Sequence, residues 1–340
     1  MNGAEVDGGQ RVDLNGKVAV VTGGGRGICR AMAVALAEHG AAVVVVDTGG
    51  HYDGRGLDST VANDAVAAIV ATGGAAVACT HSVATLEGAQ RIVAVALATF
   101  GRLDILVNGA GITRQNMIWD MPEDDFDAVV GTHLKGTWAC TRAALPELIA
   151  RGSGSIINIS SGVAVAGAVA VSNYTAAKAG ILGLTFGAAL DLGPLGIRVN
   201  AVFPAGWSRL FDKPEPWRDR YPTEPRPEMN AQDWPTEAVA PLVVYLASDM
   251  ADDINGQLFT AGADSVGLYP TWSVAREIRS KGSMFTPEEL RDRLPGELMS
   301  GVGNPAPRQD PATRRWSWTR KGVLSAAHDP TQRSPHRMNT

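Results

Sequence analysis

Short apolar runs alternate with longer amphipathic stretches along most of the chain, and glycine or polar turns separate them. The runs at 17–22, 42–47, 75–80, 105–108, 156–159, 197–202 and 257–260 are rich in Val, Ile and Ala, with little polar alternation. That pattern suits strands covered on both faces. Between them, helical patterns are predicted over 31–39, 59–71, 86–99, 122–149, a long stretch from 173 onward, and 237–248. The helix over 122–149 is expected to bend near Gly131 to Gly136. Seven strands alternating with helices predict an α/β fold, a doubly wound parallel sheet in a single domain with a C-terminal extension. No internal repeat is visible.

Several stretches break the alternation. Residues 1–14 read as a loose, Gly-rich lead-in to one domain over 15–264, and 49–58 as a polar, Gly-rich insertion. Residues 208–235 carry six prolines and two tryptophans, too long and too apolar for a simple connector. They follow the sixth strand, beyond the carboxyl ends of the sheet, and are read as a lid loop in which Trp207, Leu210, Phe211, Trp217, Tyr221 and Trp234 offer apolar area. Residues 265–300 form the extension, with helices predicted over 272–281 and 287–294, the latter started by Thr286. Residues 301–340, rich in Pro, Arg and Ser, read as a tail that is disordered or packed on a partner subunit.

Charge and cysteine usage narrow the function classes. A net charge of −5 over 340 residues gives no basic field for nucleic acid or an anionic membrane. No apolar run approaches ~18 residues and no secretory pattern opens the chain, so neither a membrane span nor export is expected. The three cysteines lack C-x-x-C spacing and suggest neither zinc nor a disulfide framework. The expectation is a cytoplasmic protein with a small-molecule substrate.

Candidate chemistry begins at the first turn. Strand 17–22 runs into Gly23-Gly24-Gly25-Arg26-Gly27-Ile28 and then a helix, which places backbone N–H groups and a helix dipole where a pyrophosphate can sit. The second strand ends in Asp47, whose carboxylate can accept both hydroxyls of an adenosine ribose and repels a 2′-phosphate. After the fourth strand, Asn108-Gly-Ala110-Gly111 allows close backbone approach. Ser161 follows the fifth strand. Tyr174 and Lys178 then lie at i and i+4 on one helical face. An ammonium one turn from a phenol is expected to lower the phenol's pKa from ~10 and make it a general acid/base, with Ser161 holding a carbonyl oxygen beside it.

These motifs, in this order and spacing, resemble the short-chain dehydrogenase/reductase family over residues 15–262. The resemblance implies a Rossmann-like NAD(P)-binding domain and hydride transfer between nicotinamide and a hydroxyl or carbonyl carbon. Tyr174 would be the acid/base, Lys178 would hold the nicotinamide ribose, and Ser161 would orient the substrate oxygen. It also implies a homo-oligomer, dimer or tetramer, paired through the helix that carries Ala176, Ala177, Gly180, Gly183 and Gly187. Val46-Asp-Thr-Gly-Gly50, His133-Leu-Lys-Gly136, Pro204-Ala-Gly206-Trp-Ser-Arg209 and the run 239–246 are similar to the dehydrogenase part of peroxisomal multifunctional enzymes. That part oxidises 3-hydroxyacyl-CoA thioesters and some hydroxysteroids with NAD, and its C-terminal segment helps complete the site. Pro204 and Gly206 join the implied cofactor contacts.

Three residues depart from the family pattern. Cys29 replaces a third glycine, which implies a slightly wider approach of helix to strand. His81 replaces an acidic adenine contact and leaves Ser82 and Val83 to flank the ring. His133 replaces the catalytic Asn, either relaying protons or keeping a helix kink. Arg26, common in NADP-preferring relatives, opposes Asp47, and the carboxylate is taken to decide for NAD. The expectation is an NAD-dependent dehydrogenase of a bulky, apolar secondary alcohol. The alternatives are an NADP-dependent 3-oxoacyl or polyketide-type reductase, or a silent dinucleotide-binding sensor or scaffold.

Overall fold

Valine and alanine fill strand β1 (Val18–Thr22) up to its closing threonine, and all of β2 (Ala42–Val46). Both are buried on both faces, as the absence of polar alternation requires. The computed structural model describes residues 11–210, 214–224, 230–270, 272–280, 284–302 and 315–316. Strands β3 (Ala76–Cys79), β4 (Ile105–Asn108), β5 (Gly154–Ile159), β6 (Ile197–Pro204), β7 (Leu258–Gly262) and β8 (Ser265–Tyr269) complete one sheet. Its order is β3-β2-β1-β4-β5-β6-β7-β8. The first seven strands are parallel, and β8 returns antiparallel to β7.

That eighth strand corrects the expected seven. It carries the sheet five residues past position 264, because Gly262-Ala-Asp-Ser265 makes a tight turn with Ala263 at φ +48°. Tyr269 packs edge-on against Phe203 of β6, and Trp272 against Phe186. The helix expected over 272–281 is absent from the described part of that stretch, residues 272–280. Val274 is exposed, and no apolar stripe runs along the described stretch to hold a helix on the protein.

The helices are α1 (Gly27–Glu38), α2 (Thr60–Ala71), α3 (Leu86–Phe100), α4 (Glu123–Val130), α5 (Gly136–Arg151), α6 (Val163–Ala166), α7 (Ser172–Leu192), α8 (Trp217–Arg220), α9 (Ala240–Ala247) and α10 (Pro287–Arg293). One core packs α1, α2 and α9 on the sheet through Met32, Leu36, Ile69 and Val243. The other packs α3, α5 and α7 on the opposite face through Ile92, Ala144, Leu148 and Ala189. Thr286 caps α10 as expected, its hydroxyl accepting the Glu289 N–H at 3.1 Å. The bend expected between Gly131 and Gly136 is a π-helical turn (Gly131–Lys135) joining α4 to α5.

The stretch Ser172–Leu195 is long and apolar enough, by length and composition, to cross a membrane, contrary to the expectation that no such run exists. Here its buried face packs on β6 and α4. Between β1 and β4 the strand order reverses, and the crevice at their carboxyl ends is where this topology places ligands.

Candidate active site

The first turn is built for close approach. Gly23 has φ +72°, and a Cβ there would meet the Ala110 backbone at 2.9 Å. At Gly25 a Cβ would meet Val61 at 2.6 Å and the Asp47 carboxylate at 2.9 Å. Arg26 sits at the α1 N-cap in extended conformation and gives no side-chain cap, so the first-turn N–H groups point to the crevice. The Asp47 carboxylate accepts the Gly25 N–H at 3.1 Å and the Gly49 N–H at 2.8 Å, which aims it at the same opening. These donors, the carboxylate and the space at Gly27 fit the pyrophosphate and adenosine ribose of a nicotinamide dinucleotide.

One cavity of about 1850 Å³ opens along this crevice. Gly23, Arg26, Gly27, Ile28, Asp47, Ser82, Val83, Ala110, His133, Ser161, Tyr174, Lys178, Pro204 and Gly206 all line it. Two expected contacts do not. Gly25 is buried behind Asp47. Asn108 is also buried, its amide donating to Asn158 Oδ1 at 2.9 Å and Thr141 Oγ1 at 3.3 Å. Asn108 therefore fixes β4 against β5 and α5 and positions Gly109 and Ala110.

Cys29 is buried between α1 and the turn after β4. Its Sγ rests on Gly109, where any Cβ would collide with it, so the glycine there leaves room for the thiol. Burial pushes that thiol up to about 12, and it stays protonated.

Ser161, Tyr174 and Lys178 meet at the inner end of the cavity. Both hydroxyl-bearing side chains line that end, so one substrate oxygen can face both. Lys178 is 4% exposed, donates to the Ile159 carbonyl at 2.6 Å, and stands 5.5 Å over the Tyr174 ring centroid. The expected lowering of the phenol pKa is not found in this arrangement. Burial pushes Tyr174 up to about 12, and the Ser161 hydroxyl opposes it only in part. The ammonium is committed to a carbonyl, and burial pushes it down to about 8.

His133 lies in the π-helical turn, a feature frequent at functional sites. Its ring is 2% exposed and packs edge-on against Tyr174 at 5.0 Å. Nε2 is 2.8 Å from the Ile112 carbonyl and 3.1 Å from the Ile112 N–H, so it donates to the one or accepts from the other according to the tautomer. Nδ1 has no partner. Burial, and next the Lys178 charge, push the imidazole down to about 3, so it stays neutral. The ring fits because residue 111 is glycine. The His133 carbonyl accepts the Thr137 hydroxyl at 2.7 Å.

Sequence reasoning placed the lid aromatics together, but the structure divides them. Trp207, Leu210 and Trp234 line the cavity. Trp217 is 1% exposed and packs with Tyr221 on Met117 and Ala170, away from the cavity, while Phe211 lies outside the described residues. Arg209 was not anticipated. Both its terminal nitrogens donate to the Gly50 carbonyl at 3.2 Å, bridging the loop after β6 to the insertion after β2. No spacing rule links residues 159 positions apart. Among the described residues, the extension lines the cavity only through Ser265, and no His, Cys, Asp and Glu cluster could hold a metal.

The profile of the family described as short chain dehydrogenase matches residues 17–213. The chain belongs to the short-chain dehydrogenase/reductase family. Peroxisomal multifunctional enzyme type 2 of Mus musculus is 36% identical over 281 residues, 82% of this chain. This chain spans 36% of that enzyme's length. Hydroxyacyl-CoA dehydrogenase ChsB1 of Mycobacterium tuberculosis is 36% identical over 83% of this chain and 88% of its own. The 3-oxoacyl-[acyl-carrier-protein] reductase FabG of Staphylococcus aureus is 37% identical over 71% of this chain and 94% of its own. A solved short chain dehydrogenase from Mycobacterium avium superposes with TM-score 0.72 at 37% identity, covering 86% of this chain and 98% of that one.

As a family member the chain is an NAD(P)-binding oxidoreductase acting on CH–OH or carbonyl groups. When bound, the nicotinamide supplies the hydride acceptor or donor. Ser161 and Tyr174 are the chain's hydroxyl groups at the inner end of the cavity, within reach of a substrate oxygen there.

Proposed function

We propose that the chain is an NAD-dependent dehydrogenase of a bulky, largely apolar secondary alcohol, a 3-hydroxyacyl thioester or a steroid-like alcohol. The observation that carries this reading is the cavity itself. Its 1850 Å³ spans the dinucleotide crevice and the space beyond Ser161 and Tyr174. Beyond the dinucleotide crevice its lining includes the apolar Val163, Val169, Val171, Trp207, Leu210 and Trp234 beside polar residues such as Gln115 and Asp233. Such a surface orients a wide apolar substrate through remote contacts and gives a small alcohol little. Asp47, engaged on the side of the adenosine ribose, supports NAD.

A second reading, an NADP-dependent 3-oxoacyl reductase, draws on Arg26 and Arg209. Both guanidinium groups donate to the Gly50 carbonyl, close to Asp47. The exposed faces around Trp138, Ile149 and Leu190, together with the open sides of Gly183 and Gly187 on α7, support a homo-oligomer. The cytoplasm remains the proposed location, on the sequence pattern alone.

The test is initial-rate turnover with NAD and NADP on 3-hydroxyhexadecanoyl-CoA, a polycyclic secondary alcohol and 2-propanol, with the matching ketones in reverse. NAD-linked oxidation of a bulky alcohol at a kcat/KM at least ~10²-fold above 2-propanol is expected. Equal efficiency on 2-propanol would overturn the reading.

A further inference from the structure

The structure places a segment from near the C-terminus against the outer wall of the cavity. The Trp316 N–H donates to the Pro222 carbonyl at 3.0 Å, and its carbonyl accepts the Glu224 N–H at 3.0 Å, so Trp316 pairs with Thr223 in parallel. Its ring lies 5.7 Å from Tyr221, near perpendicular, and 6.3 Å from Trp119. Tyr221 accepts the Trp119 indole N–H at 2.9 Å and donates to Asp120 at 2.6 Å. Beneath them Trp217 is buried with Met117 and Ala170, its indole N–H donating to Gln115 Oε1 at 3.0 Å.

This cluster presses on two strips of chain that reach the reaction centre. The first is 115–117: Gln115 lines the cavity, and Asn116 pairs with Val171 through its N–H to the Ala170 carbonyl at 2.9 Å. The second is 169–171, where Val169 and Val171 line the cavity and Ala170 adopts φ +60°. That left-handed conformation is unfavourable for a residue with a Cβ and persists only where packing enforces it. Helix α7 starts at Ser172 and presents Tyr174 within its first turn. The aromatic cluster therefore holds a strained residue at the entry of the helix that carries the acid/base.

We infer that residues 315–316 form a clasp and that Trp316 is a positioning residue. It fixes the α8 segment on 115–117 and 169–171, and so sets the wall that a bulky substrate meets. The kinetic side of the inference rests on the function proposed above; the structural side does not.

Three variants test it: Trp316→Ala, Trp316→Phe in the full chain, and termination after Val302. Two readouts are used. Amide hydrogen exchange over 115–119 and 217–221 reports the clasp directly. In Trp316→Ala and the terminated chain, exchange there should accelerate by ~10-fold or more, with β1 and β4 unchanged. With 3-hydroxyhexadecanoyl-CoA and NAD, KM should rise by ~10-fold, with kcat and NADH affinity within about twofold. Trp316→Phe should restore both.

Unchanged exchange in both segments would overturn the inference. So would a loss of NADH affinity equal to the KM effect, or loss of cooperative melting, since either marks a global rather than local role. If even the unmodified protein turns over no bulky alcohol, the proposed function fails while exchange still decides on the clasp.

Discussion

The ammonium of Lys178 stands 5.5 Å over the ring centroid of Tyr174 and donates to the Ile159 carbonyl at 2.6 Å. The two groups share a face because they are four residues apart on α7, yet burial dominates both. It raises the phenol to about 12 and lowers the ammonium to about 8.

The Lys178 shift has a sign that stability can report. Its folded pKa lies below the unfolded value, so between pH 8 and 10.5 the unfolded chain binds more protons and stability rises with pH. The full effect is at most roughly 3 kcal/mol. Lys178→Met removes it. Wild-type protein should gain a few degrees of Tm relative to Lys178→Met between pH 8 and pH 10, as measured by thermal melts in parallel buffers. A constant gap would show that Lys178 titrates as an ordinary lysine.

Gly111 and His133 form a steric pair. A Cβ on residue 111 would collide with Cε1 of His133 and press on both ring nitrogens. Gly111→Ala should cost about 1–3 kcal/mol by overpacking. The double variant Gly111→Ala, His133→Ala should be more stable than the sum of the single changes implies. Additive losses in urea unfolding would show that the ring is not what excludes the methyl.

Asp47 is expected to decide the cofactor. Asp47→Ser removes ribose hydrogen bonds and the repulsion of a 2′-phosphate, leaving Arg26 and Arg209 beside it. NADH affinity should fall and NADPH affinity rise, each by about tenfold, in fluorescence titrations. If the unmodified protein already binds NADPH more tightly than NADH, the two arginines outweigh the carboxylate.

Much of the fold was legible because parallel strands buried on both faces announce themselves as Val/Ile runs, and seven were predicted this way. β8 was not, because Ser265, Val266 and Leu268 lie on an exposed edge and lack that signature. Trp217 read as substrate surface because sequence reports an aromatic in a proline-rich loop and not the direction it faces. The depth of Tyr174 and Lys178 escaped for a similar reason. Spacing puts both on one helical face, but only the closed cavity floor determines how far each is removed from water. The packing of Cys29 Sγ on Gly109 joins positions 80 residues apart, and no local pattern encodes it.

The central claim is that Tyr174 moves the proton of a bulky alcohol during hydride transfer. Its most direct test is kcat of Tyr174→Phe with NAD and 3-hydroxyhexadecanoyl-CoA, beside NADH affinity measured by fluorescence. The account predicts a kcat lower by ~10²-fold or more with NADH affinity nearly unchanged. More than about a tenth of wild-type kcat retained in Tyr174→Phe would contradict it.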